Sequence, residues 1–432
     1  MSRPVYRSVV TPLRASGALA LFLFAAAAIT VAGCGDSSSP TAAALRWPDP
    51  DWEVVEPAAE GMNAATLDEA RRYAFEPERN TQGVVVVRNG AIVSEWYAEG
   101  DDATSVATSW SAGKSFAGTL IGIAIDRGDI AGLEVSLAEF YPDWQEDDRS
   151  GVTLRDLLEM RSGLRWNEIA DDPVFHAATD DQLSASVARP LSHAPGSTWN
   201  YSSADSMLIS GIIERATGRS AGAFAQEVLF GPIGMTADWW TDAVGHTLTY
   251  CCVDTTSRDF ARFGVLFARG GEWNGRQVVS REWIEEATRP ISDVPFYALQ
   301  WWTNVSGLVV NGAEVRLFTA RGLHNQNIYV FPEIDLVIVR NGIYHRLGDG
   351  STVRAGANYL KTLAPASWDD VAFLSPILQS IDAGVDTRAL AGVAAAASKA
   401  QVDPLAAPRY QWRQTLTDLL EECRNQCGVG PD

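Results

Sequence analysis

An α+β architecture, α/β in the broad sense, follows from three features of this 432-residue chain. Two β-branched and aromatic runs, residues 82–87 and 91–97, flank Arg88-Asn89-Gly90, where Asn-Gly supplies the positive φ angles of a hairpin turn. Strand-like runs return far downstream at residues 314–319, 327–331 and 335–340. Between them, residues 111–288 place apolar side chains at helical spacing. Neither group of strands makes a stable sheet alone, so the two are expected to join as one antiparallel sheet flanked by helices. The middle helices are then expected to form a separate, all-helical lobe packed against it.

Composition agrees with a globular protein of one large or two small domains. With 46% hydrophobic and 20% charged residues, 36 Gly and 20 Pro, the chain is neither disordered, collagenous nor a coiled coil. The 54 acidic residues against 34 basic give a net charge of −20, which repels polyanions and argues against nucleic acid as a partner.

At the N-terminus, Arg3, Arg7 and Arg14 precede an apolar run over residues 17–30, and Val31-Ala32-Gly33-Cys34 supplies small residues before a cysteine. This leader resembles a bacterial lipoprotein signal. The resemblance implies cleavage of residues 1–33, acylation of Cys34, and attachment of the mature chain to a membrane of the bacterial cell envelope. An ordinary signal peptide or an uncleaved anchor helix is the competing reading. Residues 34–50, with three consecutive serines and few apolar side chains at their start, then read as a flexible tether.

In the helical middle, Phe116, Leu120, Ile121 and Ala124 recur behind Ser111, and Thr153 is placed to cap a helix carrying Leu154, Leu157 and Leu158. Further helices are expected at 204–217, 257–269 and 281–288, and another at 352–363 after the late strands. Residues 366–432, with the Ala-rich stretch 390–400 and the segment 410–423, read as a helical extension. No internal repeat is evident.

With Cys34 spent on lipid, Cys251, Cys252, Cys423 and Cys427 form an even set in an oxidising compartment. Bridges from the 251/252 pair to the 423/427 pair would staple the tail to the body. Free buried thiols are the alternative, and zinc a weaker one, because adjacent cysteines do not easily converge on one tetrahedral centre and no histidine flanks either pair.

The chemistry concentrates at Ser111-Ala112-Gly113-Lys114. Residues i and i+3 share a helix face, so the lysine amine can reach the serine oxygen as its base. The chain has three lysines, Lys114, Lys361 and Lys399, and uses arginine for its other 31 basic residues. Lysine loses its proton when buried, whereas arginine keeps it. A second element, Pro195-Gly196-Ser197-Thr198-Trp199-Asn200-Tyr201-Ser202-Ser203, holds Tyr201 in a loop before a helix, where its phenol could pass a proton to a leaving group. Packed tyrosine with Ser203 as helix cap is the plainer reading. A third element is Ala320-Arg321-Gly322-Leu323, where Gly322 permits close backbone approach and the Leu323 N–H could join that of Ser111 as an oxyanion hole.

Ser-x-x-Lys, then Tyr-x-Ser, then a short strand motif ending in Gly resembles the serine β-lactamase and penicillin-binding-protein superfamily. The phrases Val152-Thr153-Leu154-Arg155-Asp156-Leu157-Leu158, Ser162-Gly163-Leu164, and Cys251-Cys252 leading into residues 257–264 are similar to the class C branch with 6-aminohexanoate-dimer hydrolases and related esterases. The resemblance covers about residues 60–365, within a hydrolase domain placed at 51–365. It implies a β-lactamase-like fold with the active site in the cleft between the lobes, and a covalent acyl-enzyme. It also implies Ser111 as nucleophile, Lys114 as general base, Tyr201 as donor to the leaving group, and Ser203 as the residue orienting this network.

The departures narrow the substrate. Ala320 stands where β-lactamases and D,D-peptidases carry a lysine that grips a substrate carboxylate; Arg321 offers a charge, but adjacent strand residues face opposite sides. Trp166-Asn167-Glu168-Ile169-Ala170 lacks the family's usual tyrosine, and Asn325 replaces a common glycine. The cleft candidates are therefore Trp110, Trp166, Ala320 and Arg321, with Trp301-Trp302 and His324 nearby. His176, His193, His246, His324 and His345 show no ligand spacing, so neither metal nor cofactor is expected. The expectation is a lipid-anchored serine hydrolase of a small ester or amide. A D,D-peptidase or β-lactamase, and a non-catalytic envelope-binding lipoprotein of the same fold, are the alternatives.

Overall fold

A computed structural model describes residues 45–303, 307–343 and 368–391. Helix α1, Ala64–Ala74, starts where the Asn63 carbonyl oxygen of the side chain accepts the N–H groups of Ala65 and Thr66. Strands β1, Thr81–Arg88, and β2, Ala91–Tyr97, form the expected hairpin, with Asn89 and Gly90 both at positive φ. After β3, Val106–Thr108, come the helices α2 (Gly113–Asp126), α3 (Leu154–Leu158), α4 (Glu168–Ala178), α5 (Gln182–Val187), α6 (Ser203–Thr217) and α7 (Ala221–Ala225). Thr153 caps α3 in a reciprocal capping box with Asp156, as the sequence indicated.

Strands β4 (Asp238–Trp239) and β5 (Val253–Thr256) join β3 in a small sheet of order β3-β5-β4. Helix α8, Ser257–Ala268, follows, then the two-residue hairpin β6 (Glu272–Trp273) and β7 (Arg276–Gln277), then α9, Arg281–Ala287. A second short hairpin, β8 (Val309–Val310) and β9 (Ala313–Glu314), leads to β10 (Phe318–Gly322), β11 (Gln326–Phe331) and β12 (Leu336–Gly342), and α10, Asp370–Ile381, is followed by a 3-10 turn, Thr387–Leu390.

The main sheet is antiparallel, in the order β10-β11-β12-β1-β2, so the early hairpin and the late strands do meet, through β1 and β12. One boundary moves. The strand expected at 314–319 runs from Phe318 to Gly322, because Glu314 is taken by the β8–β9 hairpin, and Ala320-Arg321-Gly322 therefore lies within a strand.

Side-chain alternation along the strands divides the interior in two. Val85, Val87, Ile328, Val330, Val337 and Val339 point into one core with α2 and α8. Val84, Val86, Tyr329, Phe331, Leu336 and Ile338 point the other way, into a second core with α1 and α10. A sheet covered on both faces reads as unbroken apolar runs, as residues 84–87 do. Helix α10 packs within the second core, so the segment from Asp370 is part of the same body as the sheet. The expected helix at 352–363, the segment 410–423 and most of the Ala-rich stretch lie outside the described residues, as do the leader, Cys34, Cys423 and Cys427.

The cysteine expectation changes. Cys251 is bonded to Cys252, its neighbour, so this pair does not reach out to the C-terminal tail. The two sulfurs belong to one tight turn in which Cys252 adopts a left-handed backbone conformation.

Helix α8 reaches the sheet through Gly264. A β-carbon there would lie 2.4 Å from Cγ1 of Val337 and 3.0 Å from Cγ2 of Ile328. Alanine gains about 1 kcal/mol of helix propensity over glycine, but the clash is with β-branched side chains on strands in the middle of the sheet, which cannot move aside. Overpacking of this kind costs about 1–3 kcal/mol. Gly264→Ala is expected to lower the unfolding free energy by about 1–2 kcal/mol in urea titration.

Candidate active site

The turn that carries Ser111 is built on the small sheet. Val253 donates its N–H to the Ser109 hydroxyl at 2.8 Å and accepts the Ser109 N–H at 2.8 Å, which pins the end of β3 to β5. The next residue, Trp110, has φ of +45°, an uncommon conformation for a bulky side chain. Surrounding packing must hold it there. Its ring is wedged against Trp240, His176 and His324, and its carbonyl accepts from the Cys252 N–H. A single 3-10 turn, Trp110–Ala112, then leads into α2, so Ser111 sits one turn before the α-helix proper. Gly113 is required at the junction, since a β-carbon there would lie 2.7 Å from the Cys251 carbonyl carbon. The adjacent disulfide turn and the Ser111 turn thus lie back to back.

Lys114, on the first turn of α2, is 1% exposed. Its amine donates to the Ser111 hydroxyl at 3.1 Å, to the Tyr250 carbonyl at 3.0 Å and to the Ser203 hydroxyl at 3.3 Å. Nζ also lies 4.8 Å from the centre of the Tyr201 ring and 5.6 Å from that of Tyr250. Burial pulls the amine down to about 8, against the opposing pull of Glu168 and Asp172.

Tyr201 is held by a loop tied to the segment before α4. The Asn200 N–H bonds the Met160 carbonyl at 2.8 Å, its side chain bonds the Trp166 carbonyl at 3.0 Å, and Gly196 turns the chain at φ +75°. Burial raises the Tyr201 phenol far above its usual range, the Glu168 charge adds to this, and a hydrogen bond with Ser111 opposes it. Tyr201 is therefore a phenol, able to donate a proton, at any working pH. The cap of α6 is Ser202, whose hydroxyl accepts the Asp205 N–H at 3.0 Å. Ser203 is thereby relieved of capping and turns its hydroxyl to Lys114.

The third wall is the end of β10. A β-carbon on Gly322 would lie 2.1 Å from the Ser109 carbonyl oxygen and 3.1 Å from the Ser111 nitrogen, so only glycine lets the strand meet the Ser111 turn. Beyond it, Leu323 is partly buried, and His324 and Asn325 take left-handed conformations. Arg340, fully buried on β12, donates to the carbonyls of His324 at 2.6 Å and Asn325 at 3.2 Å and fixes this turn. Burial, with the nearby Arg340 charge, lowers His324 to about 4, so its ring is neutral against Trp110.

Several expected cleft residues lie elsewhere. Ala320 is fully buried in the core with α2 and α8 and lines no opening. Arg321, on the opposite face, pairs with buried Asp370 at the start of α10, 2.6 Å away, so strand alternation denies it to the cleft. Trp301 packs among Phe263, Phe267 and Phe318 in the core, whereas Trp302 lies 5.4 Å from the Tyr201 ring in an aromatic group with Trp199, Phe296 and Tyr297. Trp166 is buried and donates its indole N–H to Glu168, with the Arg189 guanidinium 4.4 Å over its ring.

Two residues of the site were not singled out from the sequence, Glu168 and Asp172. Glu168 Oε1 accepts from the Ser203 hydroxyl at 3.5 Å. Burial, then the neighbouring Asp172, drives the Glu168 carboxyl far up, while Lys114 pulls it back. Asp172 is opposed by burial yet held below its usual range by His176, 3.5 Å away, and by Lys114. His176 continues to the Tyr250 hydroxyl at 3.1 Å, which donates to Gln182 at 2.7 Å. Glu168, Asp172 and His176 stand at i, i+4 and i+8, a titratable stripe on one helix face, and that spacing was the available signal.

Comparison with known proteins gives the family and several similar chains. Residues 59–341 match the family described as Beta-lactamase. A 6-aminohexanoate-dimer hydrolase of Paenarthrobacter ureafaciens is 26% identical over 299 residues, 61% of this chain and 72% of that protein. A D-aminopeptidase of Cereibacter sphaeroides is 32% identical over 122 residues, 27% of this chain and 23% of that enzyme. A solved Bacillus anthracis structure, provisionally described as a 6-aminohexanoate-dimer hydrolase, superposes with a TM-score of 0.60 at 19% identity, over 78% of this chain and 90% of the other.

With three lysines in the chain, selective 13C labelling of lysine resolves the amine directly. One resonance is expected to titrate near pH 8 and to be the one absent from Lys114→Arg. Gly322→Ala is expected to slow labelling of Ser111 by a fluorophosphonate about a hundredfold, the scale of a 1 Å misplacement, and to lower the melting temperature as well, because the clash is with backbone.

Proposed function

Because the chain belongs to the Beta-lactamase family, we propose that this hydrolase is a serine hydrolase that cleaves an ester or amide of a small acyl compound through a covalent acyl-enzyme. One observation carries the reading: a buried amine, lowered towards neutrality, lies 3.1 Å from the hydroxyl of Ser111. Neutral Lys114 takes the Ser111 proton as the serine oxygen forms its bond to the substrate carbonyl carbon. The N–H groups of Ser111 and Leu323, brought near each other by Gly322, receive the negative oxygen. Tyr201 gives its proton to the departing alcohol or amine as the scissile bond breaks, and Lys114 returns a proton to the phenol. Water then repeats the sequence on the acyl-serine, losing its proton to the same pair and restoring Ser111.

The inner cleft favours an ester or a linear amide over a penicillin-like substrate. Ala320 is sealed in the core and Arg321 is committed to Asp370, so among the described residues the third motif offers no cation for a substrate carboxylate. The charged groups nearest Lys114 are acidic, Glu168 and Asp172, and they disfavour a carboxylate at that position. One relative is named a 6-aminohexanoate-dimer hydrolase and another a D-aminopeptidase, which supports amide turnover beside ester turnover. The sequence of the leader supports placing the enzyme at the bacterial cell envelope, held by lipid on Cys34.

Ser111→Ala is expected to reduce hydrolysis of short p-nitrophenyl esters at least about a thousandfold and to abolish fluorophosphonate labelling. Wild-type protein is expected to turn over these esters and a linear amide oligomer, and to leave nitrocefin and a D-Ala-D-Ala peptide unchanged. Steady lactam or D-Ala-D-Ala turnover would instead support the cell-wall reading.

A further inference from the structure

Around Lys114 the donors and acceptors can be assigned one by one. The Tyr250 carbonyl only accepts, so it fixes one N–H of the amine. If the lone pair faces Ser111, as a base requires, the remaining N–H points to Ser203. Ser203 then accepts from Lys114, and its own hydrogen faces two carboxyl groups, Glu168 Oε1 at 3.5 Å and Asp172, while its backbone N–H also turns to Glu168. The other carboxylate oxygen, Oε2, accepts from the Trp166 indole, which can only donate. The hydrogens on this line run from Lys114 through Ser203 to the carboxyl pair Glu168 and Asp172, and Glu168 is the member that Ser203 meets with both its hydroxyl and its backbone N–H.

We propose that Glu168 is a positioning carboxylate for the general base, acting through the Ser203 hydroxyl to hold the counter-charge for the proton that Lys114 takes from Ser111. The inference rests on the reading of Ser111 and Lys114 given above. When the Ser111 O–H bond breaks, its proton forms an N–H bond on Lys114. The same line can then carry one N–H proton to Ser203 Oγ while the Ser203 hydrogen passes to Glu168 Oε1. The result is a neutral amine and a carboxylic acid, with no atom or charge gained or lost. Return of the two protons restores the starting state before the next step.

The groups that face this line come from every side. Asp172 and His176 stand on α4 with Glu168, Tyr201 precedes α6, Tyr250 lies before β5, and Tyr297 adds its buried hydroxyl from the segment after α9. Apart from Lys114, the tyrosines and carboxylates among them are neutral or negative. Burial lowers the Lys114 amine, and burial with Asp172 raises the Glu168 carboxyl, while the attraction between Lys114 and Glu168 opposes both shifts.

The test compares kcat/KM against pH on a p-nitrophenyl ester for the full-length wild-type protein, Glu168→Gln and Glu168→Asp. Removing the negative charge weakens the hold on the lysine proton. The acidic limb of Glu168→Gln is therefore expected about one pH unit or more below that of the wild type, the scale of an opposite charge at a few ångströms. Glu168→Asp keeps the charge and is expected to restore the limb towards its wild-type position. A Glu168→Gln limb that coincides with the wild type, whatever happens to the plateau, overturns the proposal. If a variant has too little activity to profile, the 13C-lysine titration reads the same displacement without turnover, and an unmoved Lys114 resonance overturns it equally. Retained activity in Ser111→Ala would defeat the serine-hydrolase reading by a separate measurement.

Discussion

The removal of one lysine amine from water organises this molecule. An isolated buried ammonium is costly, so the fold must either pair it or leave it neutral. Here it has three oxygen partners at 3.0–3.3 Å, a serine before α2, a serine at the start of α6 and a backbone carbonyl before β5. Those partners come from three separate parts of the chain. Each is set by its own device: the left-handed Trp110, the capping duty assumed by Ser202, and the turn closed by Cys251 and Cys252. Loosening any one of them lets water reach the amine and returns it to an ordinary lysine.

The opposite wall follows a complementary logic. A strand end can approach Ser111 only without a side chain, and it stays there only if the turn after it is rigid. Gly322 meets the first need and Arg340 the second. The carbonyls of Arg79, His324 and Asn325 and the Thr81 hydroxyl receive the hydrogens of Arg340, with Trp368 stacked on its plane and the Asp370 carboxylate acting on it through space. Burial lowers even this guanidinium, to about 9. A cation that gives its hydrogen bonds to neutral acceptors stiffens the wall beside Ser111.

Much of this was legible in the sequence where the signal is local. The Asn89-Gly90 hairpin, the Thr153 cap, the i, i+3 pairing of Ser111 with Lys114, and the alternation that turns Arg321 away from the cleft depend on short-range geometry. Positions decided by competition between distant segments were harder to read. The start of β10 depends on Glu314 pairing with Val309, the partner of Cys251 depends on backbone conformation at one residue, and Trp301 and Trp302 diverge because one faces the core. Glu168 escaped because it meets Ser203 only after α4 and α6 have packed around the site.

The sheet order bears on how the protein can be made. Val85 in β1, an interior strand, is paired on one side with Glu95, a short hairpin away, and on the other with Val339, about 250 residues downstream. Closing that second ladder requires the whole intervening sequence, so contact order is high and folding is expected to be slow. A truncation before Leu336 leaves the first hairpin with an open, apolar edge, the kind of surface that recruits other chains. Late strands thus act as a completeness check: a polypeptide released early has no native state to reach, and its fate is association or proteolysis.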